Sequence, residues 1–233
     1  MNKEIFTNEL AKIGIEITEK QLKDLAIYYQ LLKEENQKYN LTSITEEEAV
    51  YLKHFYDSLT IVKAIKLDNQ YICDVGTGAG FPGMVIKIVF PNTKIDLLDA
   101  TSKKCQFLNM VIQKLHLENI SVINARAEEY SREIREQYDI VTSRAVAPLK
   151  HLLEYSIPLL KVNGNFIALK SNIDNEMINI ANYYQKLGIT NETIIDFKLP
   201  LELSKRTIYK VTKSQKTPLL YPRAYSQIKK KDI

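Results

Sequence analysis

The chain has 233 residues, of which 45% are hydrophobic and 26% are charged, and this composition is typical of soluble globular proteins. A chain of this length buries a core without disulfides, so we expect one large domain. Its most apolar stretch, residues 84–90, contains Lys87 and is far shorter than the ~20 residues that span a bilayer. We therefore expect neither a membrane protein nor membrane binding.

The first residues and the cysteines indicate a reducing compartment. Residues 1–9 mix acidic and apolar side chains without a continuous apolar run, so we expect no signal or transit peptide and a cytoplasmic location. Cys73 and Cys105 lack the short spacing of a zinc site or a redox pair, and a cytoplasmic chain keeps them reduced. The sequence therefore predicts no disulfide framework and no metal site.

The charges are distributed unevenly. The net charge is +4, but the residues from Lys205 onward carry nine Lys or Arg against Asp232 alone, so residues 1–204 hold 23 basic against 27 acidic side chains and a net charge of −4. We call residues 216–233 the basic tail. Its Tyr221 and Tyr225 offer rings for base stacking beside cations that attract phosphates. A lysine-rich end that only adds solubility is the alternative.

The first part of the chain predicts helices. Thr18 begins a long segment whose apolar residues recur at helical spacing until about Asn40, and a second segment with acids after Thr45 keeps the same period to Ile65. We interpret residues 1–68 as an N-terminal helical cap.

The pattern changes after residue 69, where short apolar runs alternate with helical stretches. Five runs read as strands between residues 71 and 169, and two further extended runs at 190–199 and 207–212 suit an antiparallel pair at one edge. This alternation predicts an α/β fold with a mostly parallel sheet over residues 69–215, followed by a flexible basic tail.

Glycine is concentrated at one point of this body. Four of the chain's 7 glycines, Gly76, Gly78, Gly80 and Gly83, fall within eight residues that follow an apolar strand and precede a helix. Ligands approach the backbone closely at such a loop. A P-loop is excluded because no Gly-Lys-Ser/Thr follows.

The register of the loop discriminates between nucleotide ligands. In the dinucleotide fingerprint the first glycine of G-x-G-x-x-G follows the strand directly, whereas here Gly76 has that place and Pro82 falls inside the motif. Asp74 at the strand tip would repel a pyrophosphate and attract the ammonium and sulfonium groups of S-adenosylmethionine. The loop therefore favours S-adenosylmethionine over a dinucleotide.

Two later strand ends supply further candidates for an adenosine site. Asp99 ends the second strand, where an acid accepts both ribose hydroxyls, and Ala127 with Glu128 follows the third strand, where an adenine amino group could be met. A solvated helix start is the alternative for Glu128 taken alone.

With these features in order, the chain resembles class I S-adenosylmethionine-dependent methyltransferases, which have a Rossmann-like fold. It most closely resembles the bacterial 16S ribosomal RNA guanine-N7 methyltransferases, historically called glucose-inhibited division protein B. The strings that carry the resemblance lie at residues 38–42, at His54 with Asp57 and Ser58, and at residues 74–83, 97–99, 117–120 and 143–145.

The resemblance implies an enzyme that transfers a methyl group from S-adenosylmethionine to N7 of a specific guanine in small-subunit ribosomal RNA. It implies cofactor contacts at Gly76, Gly78 and Phe81 for the methionine end, at Asp99 for the ribose and at Ala127 and Glu128 for the adenine, with Arg144 beside cofactor and target. The implied partner is 16S ribosomal RNA or the assembled 30S subunit, and we expect a monomer that does not act on DNA.

Guanine N7 carries a lone pair and no proton, so the reaction needs neither a general base nor a nucleophile, only positioning. We assign that positioning to Asn40, His54, Arg126, Arg144 and Lys170. A purely structural histidine between two helices is the alternative for His54, and a surface ion pair for Arg144. For the whole protein, the alternatives are an RNA-binding assembly factor that retains a cofactor fold and a nucleotide-dependent oxidoreductase.

Overall fold

The computed structural model describes residues 1–144 and 147–233. The cap begins with two helices, α1 (Lys3–Lys12) and α2 (Glu19–Tyr39). The predicted start of α2 is confirmed: the Thr18 side chain accepts from the backbone of Gln21, whose own side chain bonds back to Thr18, which satisfies two free N–H groups of the first turn. The helix ends at Asn40, whose φ is 50°.

The second cap segment is helical but not uniform. Its pieces are α3 (Glu47–Val50), a π-helical turn (Tyr51–Tyr56), α4 (Asp57–Leu59) and a 3-10 turn (Thr60–Lys63). Apolar spacing alone does not distinguish these windings, so the prediction of one α-helix was too simple. The π-helical turn, a feature that is frequent at functional sites, contains His54.

Seven strands form one sheet in the order β3-β2-β1-β4-β5-β7-β6. The strands β1 to β5 are paired in parallel, and β7 pairs antiparallel with both β5 and β6. Their bounds are β1 (Tyr71–Val75), β2 (Lys94–Asp99), β3 (Ile120–Asn124), β4 (Tyr138–Arg144), β5 (Leu160–Lys170), β6 (Ile189–Lys198) and β7 (Lys205–Lys213). The predicted mostly parallel sheet with an antiparallel edge pair is therefore confirmed.

Helices cover both faces of this sheet. They are α5 (Gly83–Val89), α6 (Ser102–Leu115), α7 (Ala127–Glu133), α8 (Leu149–Ser156) and α9 (Ala181–Leu187). The strand order reverses between β1 and β4, because β2 and β3 lie on one side of β1 and β4 and β5 on the other. Ligands of open α/β sheets bind beyond the carboxyl ends of the strands at such a point. Within the described residues, no helix combines the length and the apolar character needed to cross a membrane.

The cap shares one hydrophobic core with the body. Tyr28 from the cap packs with Phe81 and Phe107 from the body, and Phe55 packs with Phe81, at ring-centroid distances of 5.7 to 6.3 Å. The division at residue 68 therefore marks a change of sequence pattern and not a gap in packing.

The basic tail is also packed, which corrects the expectation that it is flexible. It contains α10 (Tyr225–Lys230). Its Tyr221 and Ile228 are buried in a second hydrophobic core, which lies on the face of the sheet opposite the cap. Apolar residues at 221 and 228 offer too short a pattern to be recognised among lysines.

Candidate active site

Two adjoining cavities open at the carboxyl ends of the parallel strands. The main cavity, of about 560 Å³, lies between the glycine loop and the cap, and the side cavity, of about 270 Å³, lies beside the loop after β3. Gly76, Asp99 and Lys104 line both. Together the cavities suit one elongated ligand that passes over the end of β2.

The glycine loop exposes backbone to both cavities. Gly76 and Gly78 have φ of 71° and 62°, a left-handed conformation that glycine adopts without a steric penalty. The Gly78 N–H donates to Asp99 Oδ2 at 2.9 Å. This bond ties the loop after β1 to the end of β2.

The other two glycines serve packing. A Cβ on Gly80 would lie 2.5 Å from the Tyr28 hydroxyl and 2.8 Å from Met84 Cβ, and a Cβ on Gly83 would overlap the Leu97 side chain. The Tyr28 hydroxyl also donates to the carbonyl of Ala79. The cap therefore contacts the glycine loop directly.

Asp74 lies behind the loop and lines neither cavity. Its Oδ2 accepts from the Thr77 hydroxyl at 2.6 Å and from the Gly83 N–H at 2.7 Å, and its Oδ1 has no partner in the part of the chain that the structure describes. Burial raises the pKa of Asp74 to about 6, although Thr77, Gly83 and Arg144 act in the opposite direction. The carboxylate therefore shapes the loop, and the contact between Asp74 and the cofactor stays a prediction.

Asp99 ends β2, as the sequence predicts. It lies at the junction of the two cavities. Its Oδ1 accepts from the Thr101 N–H at 2.8 Å, and Lys104 Nζ lies 3.9 Å from Oδ2. Each carboxylate oxygen accepts more than one hydrogen bond, so acceptor capacity remains for ligand hydroxyls.

The loop after β3 lines the side cavity, with Ala127 and Glu128 in its wall. Arg126, one of the predicted rim residues, lines the side cavity and not the main one, and its Nε donates to Glu128 Oε1 at 2.5 Å. Two tyrosine rings that the sequence analysis did not assign to the site, Tyr155 and Tyr225, complete the wall.

Four side chains in the main cavity bond to one another, and we call them the charged cluster: His54, Asp57, Arg144 and Arg206. Arg144 donates to His54 Nδ1 at 2.9 Å, to the Lys53 carbonyl at 2.7 Å and to Asp57 Oδ2 at 3.3 Å. Arg206 Nε donates to Asp57 Oδ1 at 3.1 Å. Burial raises the pKa of Asp57, and the two arginines oppose that effect.

His54 is buried and both of its ring nitrogens are engaged. Arginine only donates, so Nδ1 accepts from Arg144 and the proton lies on Nε2, which contacts Thr42 Oγ1 at 2.9 Å. Burial, followed by the charge of Arg144, lowers the pKa of His54 to about 3. Its ring stacks on Phe81 with centroids 4.3 Å apart, so it combines the structural role with a place in the cavity wall.

Of the remaining predicted site residues, some line the main cavity and others do not. Phe81 and Lys170 line the main cavity, where Lys170 Nζ also bonds to Glu176 at 2.5 Å and to the Ala147 carbonyl at 2.9 Å. Asn40 is exposed and caps α2, while the neighbouring Thr42 lines the cavity instead. Ala145, the last residue of the strings that carry the resemblance, lies outside the described residues.

A family model described as "rRNA small subunit methyltransferase G" matches residues 21–205. The chain belongs to this family. Among proteins named Ribosomal RNA small subunit methyltransferase G, that of Acetivibrio thermocellus is 46% identical over 90% of this chain and 88% of its own length, and that of Bacillus subtilis is 45% identical over 96% and 95%.

Solved structures agree on the fold. A SAM-dependent methyltransferase from Aquifex aeolicus matches 74% of this chain and 97% of its own with a TM-score of 0.55 at 16% identity. M. jannaschii TYW2, solved in complex with AdoMet, matches 67% of this chain and 74% of its own with a TM-score of 0.53 at 14% identity. The predicted family, class I methyltransferase fold, S-adenosylmethionine cofactor and rRNA methyltransferase activity are confirmed, and the oxidoreductase alternative is excluded.

Proposed function

We propose that this member of the rRNA small subunit methyltransferase G family places the methyl group of S-adenosylmethionine on N7 of a guanine in small-subunit ribosomal RNA, acting as a cytoplasmic monomer. The observation that carries the choice of acceptor atom is the charged cluster. Its histidine and its carboxylate are bonded to arginines, so neither side chain is placed to remove a proton. An acceptor that already has a free lone pair suits such a site.

The cavities fit the cofactor. The bare backbone of Gly76 and Gly78 gives the amino-acid end a close approach, Asp99 offers acceptors to the ribose hydroxyls, and the side cavity offers apolar walls and Glu128 to the adenine. When bound, S-adenosylmethionine supplies a methyl group activated by the positive charge on sulfur.

The chain's own residues contribute position and charge. Five cations line the main cavity, Lys53, Lys104, Arg144, Lys170 and Arg206, against the carboxylates Asp57 and Asp99. This excess attracts the phosphates of RNA, while Asp57 partly neutralises the arginines nearest the target.

Orientation of two reactants contributes about 7 to 11 kcal/mol to a barrier. A rigid wall in which Phe81, His54 and Arg144 support one another is suited to that task. We therefore assign His54, Arg144 and Lys170 to holding the target guanine and its phosphates, with Arg206 added and Asn40 and Arg126 moved to the periphery.

The test uses small ribosomal subunits that lack the modification and S-adenosylmethionine with a labelled methyl group. After nuclease digestion, mass spectrometry should find the label as 7-methylguanosine at one position of the rRNA. Naked rRNA transcribed with 7-deazaguanosine in place of guanosine should accept no label, because it has no N7. Label on another base atom, or on the 7-deaza transcript, would refute the proposed acceptor.

A further inference from the structure

The basic tail lies beyond the matched family model, which ends at residue 205, and the sequence alone suggested RNA as its partner. In the structure, Arg223 fastens it to the body. The buried carboxylate of Glu154 accepts from the Arg223 backbone N–H at 2.9 Å, from Nε at 2.8 Å and from Nη2 at 2.7 Å. Because breaking a buried ion pair leaves an uncompensated charge, this contact fixes the tail at its middle.

Further contacts hold the tail on either side of Arg223. Arg135 donates to the carbonyls of Tyr221 at 2.7 Å and Thr217 at 2.8 Å, and Ile228 is buried in the core near α8. The segment between these contacts therefore has a defined course along the body.

That course places Tyr225 at the side cavity. Its ring lines the cavity together with Tyr155 of α8, which is the residue after the anchoring Glu154. The guanidinium carbon of Arg126 lies 4.6 Å from the centroid of the Tyr225 ring, while Arg126 Nε bonds to Glu128. The arginine thus connects the tail to the loop after β3.

The lining of the side cavity suits a flat heteroaromatic base. Small and apolar residues, Leu98, Ala125 and Ala127, face two tyrosine rings, and bases stack favourably on aromatic side chains. The cavity joins the main one at Gly76 and Asp99, so a base here belongs to the ligand whose ribose meets Asp99.

We propose that Tyr225 is a cofactor-binding residue whose ring packs against the adenine of S-adenosylmethionine, and that the basic tail forms a wall of the cofactor site. This deepens the proposed function and rests on its cofactor. The ring of Tyr225 then serves the cofactor and not the RNA.

Calorimetric titration with S-adenosylhomocysteine, without RNA, tests the assignment. Tyr225→Ala should weaken binding about tenfold, as loss of one stacking partner predicts, and Tyr225→Phe should stay within about twofold because the ring remains. Tyr225 is 40% exposed, so the variants should fold, and thermal unfolding confirms it. Methylthioadenosine, which keeps the adenosine but lacks the amino-acid end, should lose the same factor.

Leu220→Ala is the matched control, since this residue of the same tail is 69% exposed and lines neither cavity. It should leave the dissociation constant unchanged. Unchanged binding by Tyr225→Ala, an equal loss in Leu220→Ala, or a defect confined to RNA binding would each overturn the assignment. Wild-type protein that binds S-adenosylhomocysteine but does not methylate rRNA would refute the proposed acceptor alone.

Discussion

The two cavities are built in different ways, although one ligand is proposed to occupy both. The main cavity is closed by charged side chains from distant parts of the chain: Asp57 and Arg206 are 149 residues apart, and His54 and Arg144 are 90 apart. The side cavity is lined by the ends of β1 and β2, the loop after β3, α8 and the basic tail, and apolar and aromatic side chains such as Leu98, Tyr155 and Tyr225 form much of its wall. The target end therefore depends on ion pairs between distant residues, and the adenine end depends on apolar and aromatic packing and on how the tail is held against the body.

The largest loss of stability is expected when the carboxylate at the centre of the charged cluster, Asp57, is removed. Asp57→Ala leaves two largely buried arginines without their partner, and we expect a loss of about 3 to 5 kcal/mol of unfolding free energy. Urea denaturation measures it.

Asp24→Ala is the matched control for this change. Asp24 is similarly buried, but it pairs with the exposed Lys20 within one helix. A pair of that kind contributes about 0.5 kcal/mol or less. Equal losses in the two variants would show that the cluster is no more than an ordinary ion pair.

A second change acts where the cap meets the glycine loop. Gly80→Ala places a Cβ against Tyr28 and Met84 at a φ of 106°, so crowding and backbone strain should together cost about 2 to 3 kcal/mol. Gly14→Ala has a φ of 81° with nothing within 4 Å, and should show the backbone cost alone, about 1 kcal/mol. Chemical denaturation gives the loss of unfolding free energy in each variant, and the difference between the two losses is the cost of crowding at Gly80. Equal losses would show that crowding contributes nothing.

The buried His54 should make the stability of the protein depend on pH. The pKa of His54 is lowered from 6.5 to about 3, so the unfolded chain takes up a proton at a pH where the folded chain does not. The stability that neutral His54 contributes is complete above pH 6.5 and is lost as the pH falls towards 3, at about 1.4 kcal/mol per pH unit.

His54→Asn should remove that pH dependence, while the titrations of Asp57 and Asp74 remain in both proteins and cancel in the difference. Unfolding free energies of the wild type and the variant at several pH values give the comparison. His151→Asn, at a half-buried site whose pKa is also lowered, should change the pH dependence less. If the unfolding free energies of wild type and His54→Asn changed with pH in parallel, the pH dependence would not come from the lowered pKa of His54.

A single lysine at the cavity rim is expected to contribute only weakly to RNA binding. Lys53 lines the main cavity and pairs with Glu202 at 2.9 Å. Lys53→Ala should weaken binding of the small subunit a few-fold and make the slope of log affinity against log salt concentration less negative by about 0.7 to 0.9, as expected for one lost phosphate contact. Lys12, a paired lysine on α1, supplies the control, and an identical salt slope in Lys53→Ala and wild type would argue against phosphate contact.

The sequence predicted what is local. The glycine loop, Asp99 and the loop after β3 follow strand ends directly, and parallel strands bring such ends to one edge, so their meeting was foreseeable. The position of Asp74 at the strand tip was also foreseeable, but the spacing does not tell whether its carboxylate turns towards the cavity or behind the loop, where the structure has it.

Arg206 and Tyr225 were not predicted as site residues for a different reason. Arg206 lies at the main cavity only because β7 pairs between β5 and β6 in the sheet. Tyr225 lies at the side cavity only because Arg223 bonds to the buried Glu154. No local pattern encodes either long-range partner.

The distance along the chain between Asp57 and Arg206 has a consequence for synthesis. A chain is synthesised from its N-terminus, and its early parts begin to fold first. Arg206, the second arginine that bonds to Asp57, is added 149 residues after Asp57. A nascent chain that stops before β7 holds a carboxylate with half of its counter-charge. The catalytic cavity is therefore completed only near the end of translation, so incomplete chains in the cell lack a finished site.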